Sequence, residues 1–209
     1  MPYAKDHKVN TRARIVEAAR RLFNTHGYDR VTLDMVMAEA GLTRGGFYAH
    51  FRSKEALFAE AVDSFLMGRG LEWRNAAGID PTRGERIMAE RMIDAYLSQA
   101  HLTDLAGQCP MIALSSDVAR ASVEVRESYQ KLLAAMIWLF EVNTGAAGPQ
   151  AREKAMAISA LCVGGMILAR TLPESSLADE VRQAAHAMAH AFCSMADAPA
   201  AAASPAVWA

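Results

Sequence analysis

The stretch Thr43-Arg44-Gly45-Gly46-Phe47-Tyr48-Ala49-His50-Phe51-Arg52-Ser53-Lys54 decides how the rest of the chain is read. Immediately before it, residues Thr32 to Leu42 predict a short helix entered at a Thr N-cap, with Asp34 in its first turn and Gly41 ending it. A second helix is expected to restart at Thr43, so that about three residues, a glycine among them, separate two helical runs, as in a helix-turn-helix. Phe47 and Phe51, spaced i and i+4, supply an apolar docking face, which leaves Thr43, Arg44, Gly45, Gly46, Tyr48 and His50 on the other side. Each of the two glycines costs a helix about 1 kcal/mol relative to Ala, so something other than helix stability must account for them. Close approach to a nucleic-acid backbone does.

Carried on through Glu55, Ala56, Leu57 and Phe58, residues 32–58 resemble the DNA-binding helix-turn-helix of the TetR (tetracycline-repressor) family of bacterial transcription regulators. The resemblance lies in the order of a capping Thr, an Ala-Gly-Leu turn, a Gly-Phe-Tyr-x-His-Phe recognition helix and a Ser-Lys-Glu-x-Leu-Phe opening of the next helix. It implies contacts to double-stranded DNA from Thr32, Thr43, Arg44, Gly46, Tyr48, His50 and Lys54, with phosphate contacts dominating. It also implies a homodimer on a near-palindromic operator and a repressor released by a small effector.

Composition points to the same fold class. The 209 residues are 52% hydrophobic, with 13 glycines and 7 prolines, and their content of Ala, Leu, Met, Glu and Arg favours an all-α protein. The formal net charge of -1 hides an asymmetry: residues 1–54 hold ten Lys or Arg against five acids, the remainder twelve against eighteen. A basic footprint confined to the motif end suits phosphate binding. The first residues lack the apolar stretch of a signal peptide. The most apolar run, Ala155 to Ala169, is shorter than the roughly 20 residues a membrane span requires, so a cytoplasmic location without membrane association is expected.

Along the chain, residues 1–10 read as a mobile basic arm. Residues 11–26 read as an amphipathic helix on Ile15, Ala18, Ala19, Leu22 and Phe23, stopped by Gly27; it completes a three-helix DNA-binding unit over residues 1–52. Residues 53–196 are expected to form a helical effector-binding and dimerisation domain. Its first helix is capped by Ser53 and weakened by Gly68 and Gly70. Thr82-Arg83-Gly84-Glu85 has the pattern of a capping box opening a helix to about Ala100. Pro110 opens a short helix, and one long helix is expected over roughly 116–142. The last two helices, about 149–172 and 176–195, carry small residues and little charge on one face, and the resemblance implies that they pair with their copies in the dimer. Residues 197–209 read as a disordered tail.

Other candidate residues lie outside the motif. Cys109, before Pro110, would sit at a helix N-cap, where the dipole lowers a thiol pKa; some regulators of the resembled family carry a Cys there and sense electrophiles or oxidants with it, although burial as packing is the commoner fate of a free Cys. A thiol-sensing repressor acting through Cys109 is therefore the alternative function. Cys162 and Cys193 read as inert packing. His186 and His190 have a spacing that can chelate a metal, but they read as surface or interface histidines, and no metal, cofactor or catalytic group is expected. Phe65, Trp73, Met88, Met92, Tyr96, Met111, Met136, Trp138 and Phe140 come from helices that enclose a cavity in the resembled family, and pliable methionines suit a pocket for a small apolar effector.

Overall fold

The computed structural model describes residues 2–145, 148–173 and 175–195, and the expected tail 197–209 lies outside them. Its first helix is longer than the periodicity suggests. α1 runs Pro2–His26, so the expected arm is helical; from residue 3 to residue 26 no Gly or Pro interrupts it, and Pro2 occupies a first turn where its missing N–H is harmless. Gly27, at φ 77°, ends α1, its N–H bonded to the Phe23 carbonyl at 2.8 Å.

α2 (Leu33–Glu39) begins as expected, with the Thr32 hydroxyl accepting from the Met35 N–H at 3.2 Å. Gly41 takes φ 66°, which turns the chain so that the Leu42 N–H reaches the Met37 carbonyl at 2.8 Å. The recognition segment Arg44–Ala49 is a 3₁₀ helix, and Thr43 makes no side-chain cap. Two consecutive glycines give little reason to hold the wider α turn, and short 3₁₀ pieces tolerate this. Phe47 and Phe51 are buried as predicted, packed among Ile15, Phe23, Met37 and Phe58.

α3 (Lys54–Ser64) is capped by Ser53, whose Oγ accepts from the Ala56 N–H at 3.0 Å. It breaks before α4 (Arg69–Ala76) because Gly70 lets its own N–H bond the Phe65 carbonyl at 2.7 Å, and a Cβ there would stand 2.7 Å from that oxygen. The predicted capping box does not form. Asp80 Oδ1 instead accepts from the Thr82 N–H and hydroxyl at 2.9 and 2.7 Å, and α5 starts only at Arg86, running to Tyr96. α6 (Gln99–Thr103) follows, capped by Ser98. α7 (Pro110–Ala113) opens on proline as expected.

The long helix expected next is two helices, α8 (Ser115–Ala119) and α9 (Val123–Asn143). The break frees the Ser122 N–H to bond Glu55 Oε1 at 3.1 Å, a tertiary contact that no local pattern announces. α10 (Gly148–Thr171) and α11 (Ser176–Ser194) form a close antiparallel pair in which a Cβ on Gly165 would lie 2.5 Å from Ala185 Cβ. Ser175 precedes α11 at its cap position without a side-chain bond. α10 is long and apolar enough, by length and composition, to cross a membrane, contrary to the short run seen in the sequence. Core helices pass the same test, and here Ala155, Ile158, Cys162, Gly165 and Met166 are buried inside the fold. No strand occurs among the described residues.

Candidate nucleic-acid interface and interior cavity

The recognition segment is clamped from behind by Arg12 of α1. Its guanidinium pairs with Glu60, Nε to Oε1 at 2.8 Å, donates to the His50 carbonyl, and stacks 4.0 Å over the Phe51 ring. One side chain thus ties α1, the recognition segment and α3 together. Arg14 adds a bond to the Ala40 carbonyl at 2.5 Å, at the turn between α2 and the recognition segment.

On the outer side, Thr32, Thr43, Arg44 and Tyr48 are exposed, and Gly46 and His50 are half-buried. Tyr48 is 66% exposed although its ring meets Phe47 edge-on at 5.2 Å, so the phenol stands out from the surface without structural duty inside. Arg44 is held toward α2 by Asp34 at 2.9 Å, an exposed pair worth little in water and easily exchanged for a phosphate. Burial, then the neighbouring cations Lys8, Arg12 and His7, hold the His50 imidazole below its ordinary range. It is therefore neutral at pH 7 and offers a hydrogen bond rather than a charge. Lys8 and His7 stand close enough to exert this effect because the N-terminal residues are helical, which brings basic residues to the interface that the sequence reading left in a mobile arm. Lys54 is the least free of the predicted contacts: its Nζ donates to the Tyr28 carbonyl at 2.6 Å and lies 4.1 Å over the Tyr28 ring.

Behind this unit is a cavity of ≈ 320 Å³, almost wholly apolar. Seven of the nine predicted pocket residues line it: Phe65, Trp73, Met92 and Tyr96, with Met111, Met136 and Trp138. Met88 and Phe140 do not. The Met88 sulfur accepts from the Asp80 N–H at 3.4 Å instead, and Phe140 is fully buried in the core outside the lining. The mouth is flanked by the exposed Met67 and Trp138.

Three polar side chains in the lining change its chemistry. Arg74, which the sequence reading missed, donates to the Leu66 carbonyl at 2.9 Å while lining an apolar space, and burial lowers its pKa. His101, also missed, is buried; its Nδ1 donates to the Tyr96 carbonyl at 2.7 Å, so Nε2 accepts from the Cys109 N–H at 3.3 Å and the ring is neutral. Cys109 lines the cavity, but the predicted dipole effect is overridden: burial pushes the thiol up to about 11 against the opposing influence of Tyr96, the Met111 N–H and Arg74. α7 is only four residues long, so its dipole is small. The Tyr96 hydroxyl is buried, with the Cys109 thiol as its polar neighbour.

A buried polar chain joins cavity to DNA-binding unit. The His101 carbonyl accepts from Gln108 Nε2 at 3.0 Å, the Gln108 carbonyl from Asn24 Nδ2 at 2.6 Å, and Arg170 of α10 bridges Gln108 Oε1 and the Asn24 carbonyl. Arg20 of α1 donates to the Ala106 carbonyl at 2.9 Å in the same loop. Nothing in the local sequence links residues 20–24 to residues 104–109; only the fold does.

Comparison with known proteins bears on the first of these sites. The family described as "Bacterial regulatory proteins, tetR family" matches residues 15–61. LmrA, an HTH-type transcriptional regulator of Bacillus subtilis (strain 168), is 25% identical over 174 residues, which cover 80% of this chain and 90% of LmrA. The uncharacterized HTH-type transcriptional regulator YfiR of the same organism is 37% identical over 62 residues, only 30% of either chain. The crystal structure of E. coli NemR in its reduced form superposes with a TM-score of 0.68, covering 86% of this chain and 95% of that one at 19% identity, a likeness of fold alone.

Proposed function

We propose that this chain, whose residues 15–61 match the TetR family of bacterial regulatory proteins, is a DNA-binding repressor released from its operator when a small, largely apolar molecule enters the interior cavity. The observation that carries this reading is the cavity itself, placed where the buried chain His101–Gln108–Asn24 connects its wall to α1. A ligand that displaces His101 or Gln108 moves α1, and with it the recognition segment that Arg12 holds. The equilibrium then shifts toward a half-site spacing that no longer fits DNA. Arg74 gives the ligand a chemistry: an apolar body carrying one carboxylate, phenolate or carbonyl oxygen.

Thr32, Thr43, Arg44, Gly46, Tyr48 and His50 are the proposed DNA contacts, with Lys54 acting chiefly by bracing the Tyr28 turn. The protein acts as a cytoplasmic homodimer on a near-palindromic operator, and not as an enzyme. Leu168 on α10 and Leu177 and Met188 on α11, all exposed, supply the apolar face for pairing. Thiol sensing through Cys109 is the weaker reading. It has in its favour that Cys109 lines the cavity, and against it that the thiol is buried and protonated at neutral pH.

The test is fluorescence anisotropy with DNA from upstream of the protein's own gene, titrated against salt, then against aromatic carboxylates and phenols and a thiol-reactive electrophile, for wild type and Cys109→Ala. Salt-sensitive, sequence-specific binding released by a carboxylate or phenol in both proteins supports the proposal. Release by the electrophile in wild type alone would move the function to the thiol, and the absence of any specific binding would defeat the repressor reading for this promoter.

A further inference from the structure

Three side chains outside both sites converge on one point. Asp94 projects from α5, on the side opposite Met92 and Tyr96, while His186 and His190 stand one above the other on α11. His186 Nε2 and His190 Nε2 lie 2.8 and 2.7 Å from the same oxygen, Asp94 Oδ1, and the three atoms all fall within 4.8 Å of one another. The imidazole rings are 4.6 Å apart. Two imidazole nitrogens and a carboxylate, brought together from two helices and open to solvent, are the donor set of a three-ligand site with a free coordination position. We propose that Asp94, His186 and His190 bind a divalent first-row transition ion of the zinc type.

The chemistry needs little rearrangement. Each ring must present an Nε2 lone pair, which requires only that its proton sit on Nδ1. Asp94 Oδ1 is already the point on which both imidazoles converge. Ligands about 2.0–2.1 Å from a tetrahedral ion stand roughly 3.3 Å apart, so Asp94 Oδ1 must draw back from each nitrogen by about half an ångström, which its exposed side chain allows. The nearest competing cation on the same side of α11, Arg182, is already committed to the Leu97 carbonyl at 2.7 Å and Asp179 at 3.0 Å. Met188 is two residues from His186, about 200° round the helix, so the site is on the flank away from the face proposed for dimerisation. A bound ion would fasten α5, one wall of the cavity, to α11.

Zinc chloride titrated into the full-length protein by calorimetry, with thermal unfolding in parallel, tests this. The expected result is saturation near one ion per chain and a higher Tm. His190→Ala and Asp94→Asn should each weaken binding at least about tenfold. His186→Gln, which keeps a donor to Asp94 while removing the ligand, guards against a folding artefact, checked by circular dichroism. Cobalt(II) should give visible d–d bands without a near-ultraviolet thiolate band. No saturable binding, unchanged affinity in the triple variant of these residues, or a cobalt–thiolate band would each overturn the site.

Discussion

The DNA-binding unit and the cavity behind it use arginine in opposite ways. In front, Arg12 and Arg14 turn inward onto the carbonyls of His50 and Ala40 and onto Phe51, so their charges fix backbone positions while Tyr48 and Arg44 remain outside to meet a ligand. Behind, Arg74 lines an apolar space where any oxygen acceptor of a guest would meet it, and Arg170 is used for anchoring. A surface that must match a fixed, highly charged polymer is held rigid from within. The cavity proposed to receive a small molecule keeps a polar group in its wall and deformable Met92, Met111 and Met136 around it. The seam between them is hydrogen-bonded rather than merely packed, as the proposed coupling of cavity to recognition segment requires.

The largest expected effect tests the front. Tyr48→Ala should weaken operator binding tenfold or more in an anisotropy titration with unchanged circular dichroism, because the phenol is 66% exposed and makes no internal hydrogen bond. If affinity held, the exposed face would not be the DNA face. Gly165→Ala tests the rear scaffold: a Cβ 2.5 Å from Ala185 Cβ should cost about 1–3 kcal/mol in urea denaturation, with DNA affinity of the folded fraction preserved. Asn24→Ala cuts the seam. It should destabilise by about 1–3 kcal/mol by leaving the buried Gln108 carbonyl short of a donor, and blunt effector release more than DNA binding. An undiminished response would show that coupling runs elsewhere.

The smallest effect concerns pH. Burial keeps His101 below its ordinary pKa in the fold, so its neutral form is favoured there and only the unfolded chain gains a proton as pH falls below about 6.5. Stability contributed this way is complete above that pH and declines toward pH 5. His101→Gln should flatten that part of the Tm profile.

How much of this was legible beforehand differs by region. Thr32, Ser53, Phe47 and Phe51 were readable because caps and i, i+4 pairs are local, and the structure places them as read. The same local logic failed at Thr82, where the box pattern is present but Asp80 captures the Thr82 N–H and hydroxyl first. The resemblance placed Met92 and Met136 in the pocket yet could not exclude Phe140, because it names the helices that enclose a cavity without saying which side chain of each helix faces it.

The sequence by itself determined the helical class and the helix-turn-helix with its resemblance to TetR regulators, since these depend on propensity, capping and a contiguous motif. Only the tertiary structure decided that His7 and Lys8 carry their charges on a helix toward His50 and that Cys109 is a buried thiol rather than a thiolate. It alone brought Asp94 to His186 and His190 and residues 20–24 to the 104–109 loop. Each of these depends on burial or on groups distant in the chain, and desolvation and long-range contact are properties of the packed molecule rather than of any stretch of it.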